Sequence, residues 1–327
     1  MGILQKITLI LFTKVGIGRV EKMKKKQLTL DQVPGMIISS TKSPSRFEIP
    51  QEMIKLMKEG ENIKIHQSFP IRTMLSNMNN INLSVDSLSN NPIGPAMNAT
   101  SEFIAELKEY IYSTDVDILE FVKLSPDLIF QGAGVIYDNA IILAMEMSEE
   151  KINKAPSQDT MDMVFDTYDS LGIAANKIAE FLREHGFAAQ ADHPLGGLAL
   201  FPPLAHKAGI GRVGRHGLLI TPEFGPRVRL AAIYTSIHDL QFVDSNEHSW
   251  IDGYCNECGL CIELCPANAI LDQVVVQDSG LITRVIQKLC FEYFAQYYGC
   301  SVCIKACPFS EGGDIYERLK DVTEKTN

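Results

Sequence analysis

The chain has 327 residues, a formal net charge of −10 and 46% hydrophobic residues. This length and apolar fraction are typical of a globular protein with two or three domains and a real core. The acidic balance argues against a protein that coats nucleic acid. The apolar run at residues 7–17 is broken by Lys14 and is too short to span a bilayer. Without a recognisable export signal, the sequence predicts a cytoplasmic protein.

Residues 1–97 are predicted to form an N-terminal extension that is partly helical. Residues 2–16 have the spacing of an amphipathic helix, and a basic run follows at residues 19–26. One interpretation is a weak contact of residues 1–26 with an anionic membrane surface. The other, which we favour, is a helix packed on the protein with its lysines in solvent. Residues 76–98 are rich in Asn, Ser and Pro, which predicts a long loop or wrap-around segment.

Residues 98–248 are predicted to form an α/β (α+β) domain, because strand-like and helix-like segments follow one another. The spacing predicts a long amphipathic helix that ends at Gly186. Short apolar runs predict buried strands. The predicted helices cover residues 101–113, 161–186 and 201–209, and the predicted strands cover residues 116–124, 140–147, 186–191, 216–221 and 227–235.

All eight cysteines lie in the last quarter of the chain, between Cys255 and Cys307. A disulfide framework would normally spread over a small exported domain, so metal ligation is favoured here. Four of the cysteines, with Pro266 after the last one, have the Cys-x2-Cys-x2-Cys-x3-Cys-Pro spacing of bacterial ferredoxins. Residues 249–327 are therefore predicted to form a ferredoxin-like domain with two [4Fe–4S] clusters, which transfer single electrons. Zinc is the alternative, because paired Cys-x2-Cys motifs also bind zinc.

The ligands of the two clusters follow from the crossed arrangement of such runs, in which the fourth cysteine binds the second cluster. The predicted ligands of cluster 1 are Cys255, Cys258, Cys261 and Cys307. The predicted ligands of cluster 2 are Cys265, Cys300, Cys303 and, by elimination, Cys290.

A glycine-rich stretch at residues 208–217 has the spacing of a dinucleotide-binding fingerprint. That motif needs a strand before the glycines and a helix after them. Here a helix-like segment precedes the glycines and a strand-like segment follows them, so the sequence disfavours a dinucleotide site. The positive charge of Arg212, Arg215 and His216 would favour phosphate, but it does not change the flanking segments. The simplest alternative is a turn in which one or more glycines have positive φ.

Residues 208–230, together with residues 168–191, 255–270 and 288–310, resemble the reductive dehalogenases, which are corrinoid and iron–sulfur enzymes. The resemblance extends to their relatives, the epoxyqueuosine reductases. It implies a nitroreductase-like domain that binds cobalamin or a related corrinoid in the base-off form. The corrinoid is implied to lie next to the cluster that is nearer to this domain. The resemblance also supports Cys290 as the eighth cluster ligand. The residues implied to contact the corrinoid are Gly209, Gly211, Arg212, Gly214, Gly217, Leu218 and Thr221.

The resemblance also implies a catalytic pair, in which Tyr168 supplies a proton and Arg229 is the basic residue beside it. Free tyrosine titrates near ~10, and a neighbouring guanidinium favours the phenolate. Asp169 is a competing acid, because an aspartate fills this role in the epoxyqueuosine reductases. Without the resemblance, Tyr168 is predicted to be a half-buried aromatic residue of a helix and Arg229 a member of a surface ion pair.

His193 is not assigned as a cobalt ligand. A ligand of that kind calls for Asp-x-His-x-x-Gly, and Ala191 stands at the Asp position. A histidine at the surface or in a turn is the favoured interpretation.

The expected function is a corrinoid-dependent reductase that passes electrons through two clusters to cobalt and cleaves a small organic substrate. The resemblance implies organohalides as the substrate class. The expected electron donor is a low-potential protein of the ferredoxin or flavodoxin type, and a homodimer is left open. Two alternatives remain. One is a ferredoxin-like electron carrier without corrinoid. The other is a tRNA-modifying enzyme, which the acidic balance disfavours.

Overall fold

The computed structural model describes residues 25–26, 33, 35–41, 68, 70–195 and 197–326. The predicted amphipathic helix at residues 2–16 lies outside these residues. From the basic run, Lys25 and Lys26 are described, and Lys26 forms an ion pair with Asp86. No helix among the described residues has the length and apolarity needed to cross a membrane.

The centre of the molecule is a four-stranded sheet that is antiparallel throughout. Its strand order is β2 (Ile118–Lys123), β4 (Asn139–Glu146), β8 (Val228–Thr235) and β5 (Ala189–Asp192). All but one residue of β4 and of β8 is buried, which confirms that these apolar runs form buried strands. The mixed architecture is confirmed, and the antiparallel pairing makes it α+β rather than a parallel α/β sheet. The strands among the described residues are β1 (Ile37–Ile38), β2 (Ile118–Lys123), β3 (Gly134–Val135), β4 (Asn139–Glu146), β5 (Ala189–Asp192), β6 (Arg212–Val213), β7 (Leu219–Ile220), β8 (Val228–Thr235), β9 (Ile270–Val276) and β10 (Ile282–Val285).

Helices cover both faces of this sheet. On one face, Leu107 of α2 (Ser101–Tyr112) and Ile178 of α4 (Gln158–Glu184) pack against Ile141 and Ile233. On the other face packs Leu204 of α5 (Phe201–Lys207). The helices among the described residues are α1 (Ile71–Asp86), α2 (Ser101–Tyr112), α3 (Glu149–Asn153), α4 (Gln158–Glu184), α5 (Phe201–Lys207), α6 (Trp250–Cys258), α7 (Leu260–Glu263), α8 (Gln287–Gln296), α9 (Val302–Lys305) and α10 (Gly313–Thr326).

The long helix α4 has defined signals at both ends. The hydroxyl of Ser157 accepts a hydrogen bond from the backbone N–H of Thr160, at 3.2 Å, which caps the first turn. Gly186 has a φ of +83°, so the prediction that this glycine ends the helix is confirmed. The helix therefore holds Tyr168 in its middle, against the sheet.

The prediction of a loop at residues 76–98 is wrong for its first half, where the chain forms α1 and then a 3₁₀ turn, Ser87–Asn90. Asn and Ser have modest helix propensity because their side chains compete for backbone hydrogen bonds. Here the side chains of Asn77 and Ser84 donate to carbonyls one turn earlier in α1, at 2.9 and 3.0 Å. They also bond to α4: the amide of Asn77 donates to the carbonyl of Phe165, and Ser84 donates to the side chain of Asn176, at 3.3 and 3.1 Å. Tertiary contacts thus override local propensity.

The cysteine-rich part is fastened to the start of β8. Arg227 is 2% exposed. Its guanidinium forms an ion pair with Glu146 and donates to the carbonyls of Met147 and Ser310. Beside it, Gly225 has a φ of +55°, and a Cβ there would lie 1.8 Å from the carbonyl oxygen of Phe309. The chain therefore needs glycine where the turn before β8 meets the loop after Cys307.

The boundaries proposed at residues 97 and 248 fall in stretches between regular elements, before α2 and before α6. They stay predictions, as does the nitroreductase-like description of the first domain.

Candidate functional site

The eight cysteines approach one another in two groups. Cys307 interacts electrostatically with the other three cysteines predicted for cluster 1. Cys303 interacts with the other three predicted for cluster 2, and also with Cys261 of the first group. The structure therefore brings the cysteines together as the crossed arrangement predicts. That each group holds a [4Fe–4S] cluster stays a prediction.

The first group is built on a break between two helices. Cys255 and Cys258 lie on α6, which ends at Gly259 with a φ of +60°, and Cys261 follows on α7. Cys307 comes from the distant loop that precedes the 3₁₀ turn Pro308–Glu311. We call these four residues the cluster-1 cysteines.

The cluster-1 cysteines line a partly open space, together with Arg215, His216 and Tyr254. The sulfur donors of this space are those that iron–sulfur clusters use. No three His, Cys, Asp or Glu side chains of the described residues are arranged to hold a single metal ion.

Burial favours the protonated thiol at three of these cysteines. It raises the pKa of Cys255 to about 11, although the backbone N–H of Arg215 acts in the opposite direction, and it also raises the pKa of Cys261. It also raises the pKa of Cys307 well above its ordinary value. Only the thiolate binds iron, so cluster assembly must release these protons.

The second group lies between α8 and α9. Cys290 is on α8 and Cys303 is on α9, while Cys300 has a left-handed φ of +43°. The sulfur of Cys265 accepts a hydrogen bond from the backbone N–H of Ala269, at 3.3 Å. Cys290 is the exposed member of this group. Partial desolvation of its thiol raises its pKa, and the nearby Cys300 and Cys265 act in the same direction. We call these four residues the cluster-2 cysteines.

Tyr168 of α4 and Arg229 of β8 meet directly. The guanidinium carbon of Arg229 lies 3.7 Å from the centroid of the Tyr168 ring, so the cation stacks on the ring face. Two contacts orient this guanidinium, to the sulfur of Met147 at 3.2 Å and to the hydroxyl of Thr167 at 3.5 Å. Burial lowers the pKa of Arg229, and Tyr168 acts in the opposite direction. Among the described residues, Arg229 thus forms a stacking contact rather than a surface ion pair.

Asp169, the competing acid, faces another neighbour. Its carboxylate accepts a hydrogen bond from the side-chain amide of Asn80 on α1, at 2.8 Å. Successive residues of a helix point in different directions. Tyr168 therefore faces Arg229, whereas Asp169 faces α1.

One of the cluster-2 cysteines packs near Tyr168. Cys303 lies against the same small apolar core as Tyr168 and Leu218. The buried members of that core are Met147, Ile152, Met163, Val164 and Ile304.

The glycine-rich stretch forms a hairpin, in which β6 pairs antiparallel with β7. The turn interpretation is confirmed at Gly209 and Gly217, whose φ values are +79° and +78°. Gly211 and Gly214 serve close packing instead, because a Cβ at these positions would lie 2.0 Å from the carbonyl oxygen and 2.7 Å from the Cδ1 of Ile220. Helix α5 comes before the stretch and β7 after it, as the argument against a dinucleotide site requires.

Two polar residues predicted to contact a corrinoid are engaged within the fold. Arg212 forms an ion pair with Asp252 and approaches His206. The buried hydroxyl of Thr221 accepts a hydrogen bond from the backbone N–H of Phe224, at 3.2 Å. Leu218 and Tyr168 are partly buried and pack against the same apolar core as Cys303. All seven predicted corrinoid contacts stay predictions.

Sequence reasoning missed the position of His216. It noted this residue only as positive charge, yet the ring is 4% exposed and lines the space between the cluster-1 cysteines. Burial lowers the pKa of His216 to about 4, and Arg284 adds to the effect. No spacing rule relates residue 216 to residue 255, so only the folded hairpin reveals the contact.

His193 directly follows β5 and is buried, so the prediction of a surface position is wrong. Its Nδ1 accepts a hydrogen bond from the backbone N–H of Leu195, at 3.0 Å. Its ring packs on α4, where a Cβ at Gly172 would lie 2.0 Å from Nε2.

Comparison with known proteins supports iron–sulfur binding by the cysteine-rich part. Residues 248–271, which include four of the eight cysteines, match the family model of a 4Fe-4S binding domain. A tetrachloroethene reductive dehalogenase of Desulfitobacterium hafniense is 30% identical over 221 residues, which are 63% of this chain and 39% of that protein. One from Dehalobacter restrictus is 34% identical over 166 residues, covering 50% of this chain and 29% of that protein.

An epoxyqueuosine reductase of Listeria monocytogenes is 30% identical over 129 residues, covering 35% of this chain and 30% of that protein. A solved reductive dehalogenase, described in connection with B12-dependent dehalogenation, shares the fold with a TM-score of 0.71 at 17% identity. That match covers 89% of this chain and 45% of the other.

The resemblance predicted from the motifs is therefore confirmed at the level of the superfamily of reductive dehalogenases and epoxyqueuosine reductases. The chain is similar to iron–sulfur reductases of this superfamily. It spans less than half the length of these curated relatives.

Proposed function

We propose that this chain is a corrinoid-dependent reductase in which two [4Fe–4S] clusters supply electrons for reductive cleavage of a small organic substrate. The observation that carries the proposal is the contact between Arg229 and the ring of Tyr168, which packs against the same apolar core as Cys303. A proton donor, a fixed cation and a cysteine of the second group thus lie around one small core.

Tyr168 holds the proton at its Oη. Replacing a halogen by hydrogen consumes two electrons and one proton and releases a halide ion, so the site must deliver a proton to the carbon. The charge of Arg229 stabilises the negative charge that develops on the tyrosine as the proton leaves. Because Met147 and Thr167 orient the guanidinium, this stabilisation needs no reorganisation of the site.

Electrons would reach the site from the cluster-2 cysteines. Of the eight cysteines, Cys303 belongs to the apolar core that also contains Tyr168 and Leu218. The electrostatic contact between Cys303 and Cys261 links the two groups of cysteines. A route from the cluster-1 group through the cluster-2 group to the catalytic pair follows, with a low-potential ferredoxin or flavodoxin as the proposed donor.

A bound corrinoid would supply a strongly reducing cobalt centre that can accept these electrons one at a time. Leu218, Tyr168 and Arg229 are the residues we propose to border it, in the base-off form that the resemblance implies. Organohalides are the proposed substrates, in line with the names of the dehalogenase relatives. A cytoplasmic location, membrane contact through residues 1–26 and a homodimer stay predictions.

Metal analysis tests the central claim. The protein is purified without oxygen, reconstituted with iron, sulfide and cobalamin, and freed of unbound cofactor. We expect about eight iron atoms and one cobalt per chain. Iron and sulfide without cobalt would overturn the corrinoid claim and favour the electron carrier.

Paired variants test the proton donor. Tyr168→Phe keeps the ring under Arg229 but removes the hydroxyl, so we expect halide release, driven by reduced methyl viologen, to fall about 10²–10⁴-fold with metal contents unchanged. Asp169→Asn is the matched control, because it changes the adjacent carboxylate and leaves Tyr168 in place. Full activity of the Phe variant, or loss of activity only in the Asn variant, would refute the assignment.

A further inference from the structure

The turn between β6 and β7 contains a buried histidine with an unusual hydrogen-bonding state. Nδ1 of His216 accepts a hydrogen bond from the backbone N–H of Leu218, at 3.1 Å. Within the part of the chain that the structure describes, Nε2 of this ring is buried without a hydrogen-bond partner. Buried polar atoms are almost always hydrogen-bonded, so this atom points to a partner other than the polypeptide.

The hydrogen bond at Nδ1 determines where the proton of the ring lies. Nδ1 must offer its lone pair to the backbone N–H, so the neutral imidazole carries its proton on Nε2. Nε2–H is therefore a donor. The ring lines the same space as the cluster-1 cysteines.

The preceding residue, Arg215, lines the same space as the cluster-1 cysteines. The side chain of Arg215 is held by hydrogen bonds to the backbone carbonyls of Leu271 and Asp272, which fixes the turn against the cysteine-rich part. Two consecutive residues of one turn thus lie beside the cluster-1 cysteines.

We propose that His216 is a positioning residue of cluster 1, which donates a hydrogen bond from Nε2–H to a cluster sulfur and thereby raises the reduction potential of this cluster. The inference rests on the part of the proposed function that places a cluster on the cluster-1 cysteines. Reduction adds negative charge to a cluster, so a donor to its sulfur stabilises the reduced form more than the oxidised form. The donor is fixed beforehand, because Leu218 holds the ring in place.

Two substitutions separate the donor from the shape of the ring. Asparagine at position 216 can accept from the backbone N–H two residues on, as Nδ1 does, but its short side chain has no group at the position of Nε2. Glutamine can place its amide N–H near that position. His216→Asn therefore removes the donor and keeps the turn, whereas His216→Gln keeps a donor.

Redox titration followed by electron paramagnetic resonance is the first measurement, on the full chain reconstituted with iron and sulfide and without corrinoid. For His216→Asn we expect one of two midpoint potentials to fall, by about 59 mV if the reduced-to-oxidised ratio shifts tenfold. The other midpoint should stay, and His216→Gln should recover most of the loss. Unchanged potentials in the Asn variant, equal shifts of both midpoints, or loss of iron in both variants would overturn the proposal.

A spectroscopic measurement checks the contact itself. The chain has seven histidines, and protein grown with ring-¹⁵N-histidine should show a weak ¹⁵N coupling to the reduced cluster in electron spin echo spectra. The coupling should vanish in His216→Asn, and its absence from the parent protein would refute the contact. Both measurements are made without corrinoid or substrate. A chain that binds no cobalamin would thus fail the proposed function and still test this inference.

Discussion

The contact between Gly225 and the loop after Cys307 allows a prediction whose size follows from the structure. Gly225→Ala places a methyl group 1.8 Å from the carbonyl oxygen of Phe309, on a backbone with a φ of +55°. The left-handed conformation costs a residue with a side chain about 1–2 kcal/mol. Because the opposing atom belongs to the backbone, the chain itself must shift, which typically costs about 1–3 kcal/mol more. We expect a loss of about 2–5 kcal/mol in the free energy of unfolding.

Two glycines serve as matched controls for this substitution. Gly186 has a φ of +83° and open space at its Cβ position, so Gly186→Ala should show the backbone cost alone. Gly253 lies in α6 with open space and without a positive φ, so Gly253→Ala should be neutral or stabilise by about 0.5–1 kcal/mol.

Urea unfolding followed by far-ultraviolet circular dichroism ranks the three variants, and the iron content reports on Cys307. We expect Gly225→Ala to be the least stable and to retain the least iron. A free energy of unfolding within about 0.5 kcal/mol of the Gly186→Ala value would show that the contact with Phe309 carries no cost, and would refute the reasoning.

Three further predictions concern the framework of the site. Arg227→Met removes the buried guanidinium that joins β8 to the cysteine-rich part. We expect it to lower the free energy of unfolding in urea by about 2–4 kcal/mol. A loss below about 1 kcal/mol would mean that these contacts contribute little. Ser157→Ala removes the cap of α4 and should lower the free energy of thermal unfolding by about 1 kcal/mol. Turnover should not change, since Tyr168 lies about three turns away. An unchanged melting temperature would contradict the stabilising role of this cap. Oxidative removal of iron with a chelator should abolish hydrogen-exchange protection in residues 250–326 but not in β4, because helices of four residues such as α7 and α9 are unstable alone. Retained protection in both regions would show that this part folds without metal.

Local patterns were sufficient where the chemistry is local. The spacing from Cys255 to Cys265 and the single proline after it predicted iron–sulfur ligation, and the family model matches the same residues. The end of α4 at Gly186 and the buried strands β4 and β8 followed from periodicity and glycine chemistry. In each case the determining residues are neighbours along the chain.

Local patterns failed where polar side chains find distant partners. Asn77 and Ser84 suggested a loop, but their hydrogen bonds to α4 stabilise a helix. His193 suggested an exposed turn, but its ring is buried on Gly172. Helix propensity describes how a residue behaves when its side chain has no tertiary partner. Asn77 and Ser84 have partners about ninety positions away in sequence, and His193 packs on a residue about twenty positions away.

The sequence by itself determined the cysteine run, the alternation of strands and helices, and the resemblance that points to Tyr168 and Arg229. Only the tertiary structure decided that Arg229 stacks on the ring of Tyr168 while Asp169 faces Asn80. It also decided that the glycine-rich hairpin carries His216 to the cluster-1 cysteines. The physical reason is the same in each case. Spacing along a chain specifies local geometry, whereas a contact between separate elements depends on how the sheet and its helices pack.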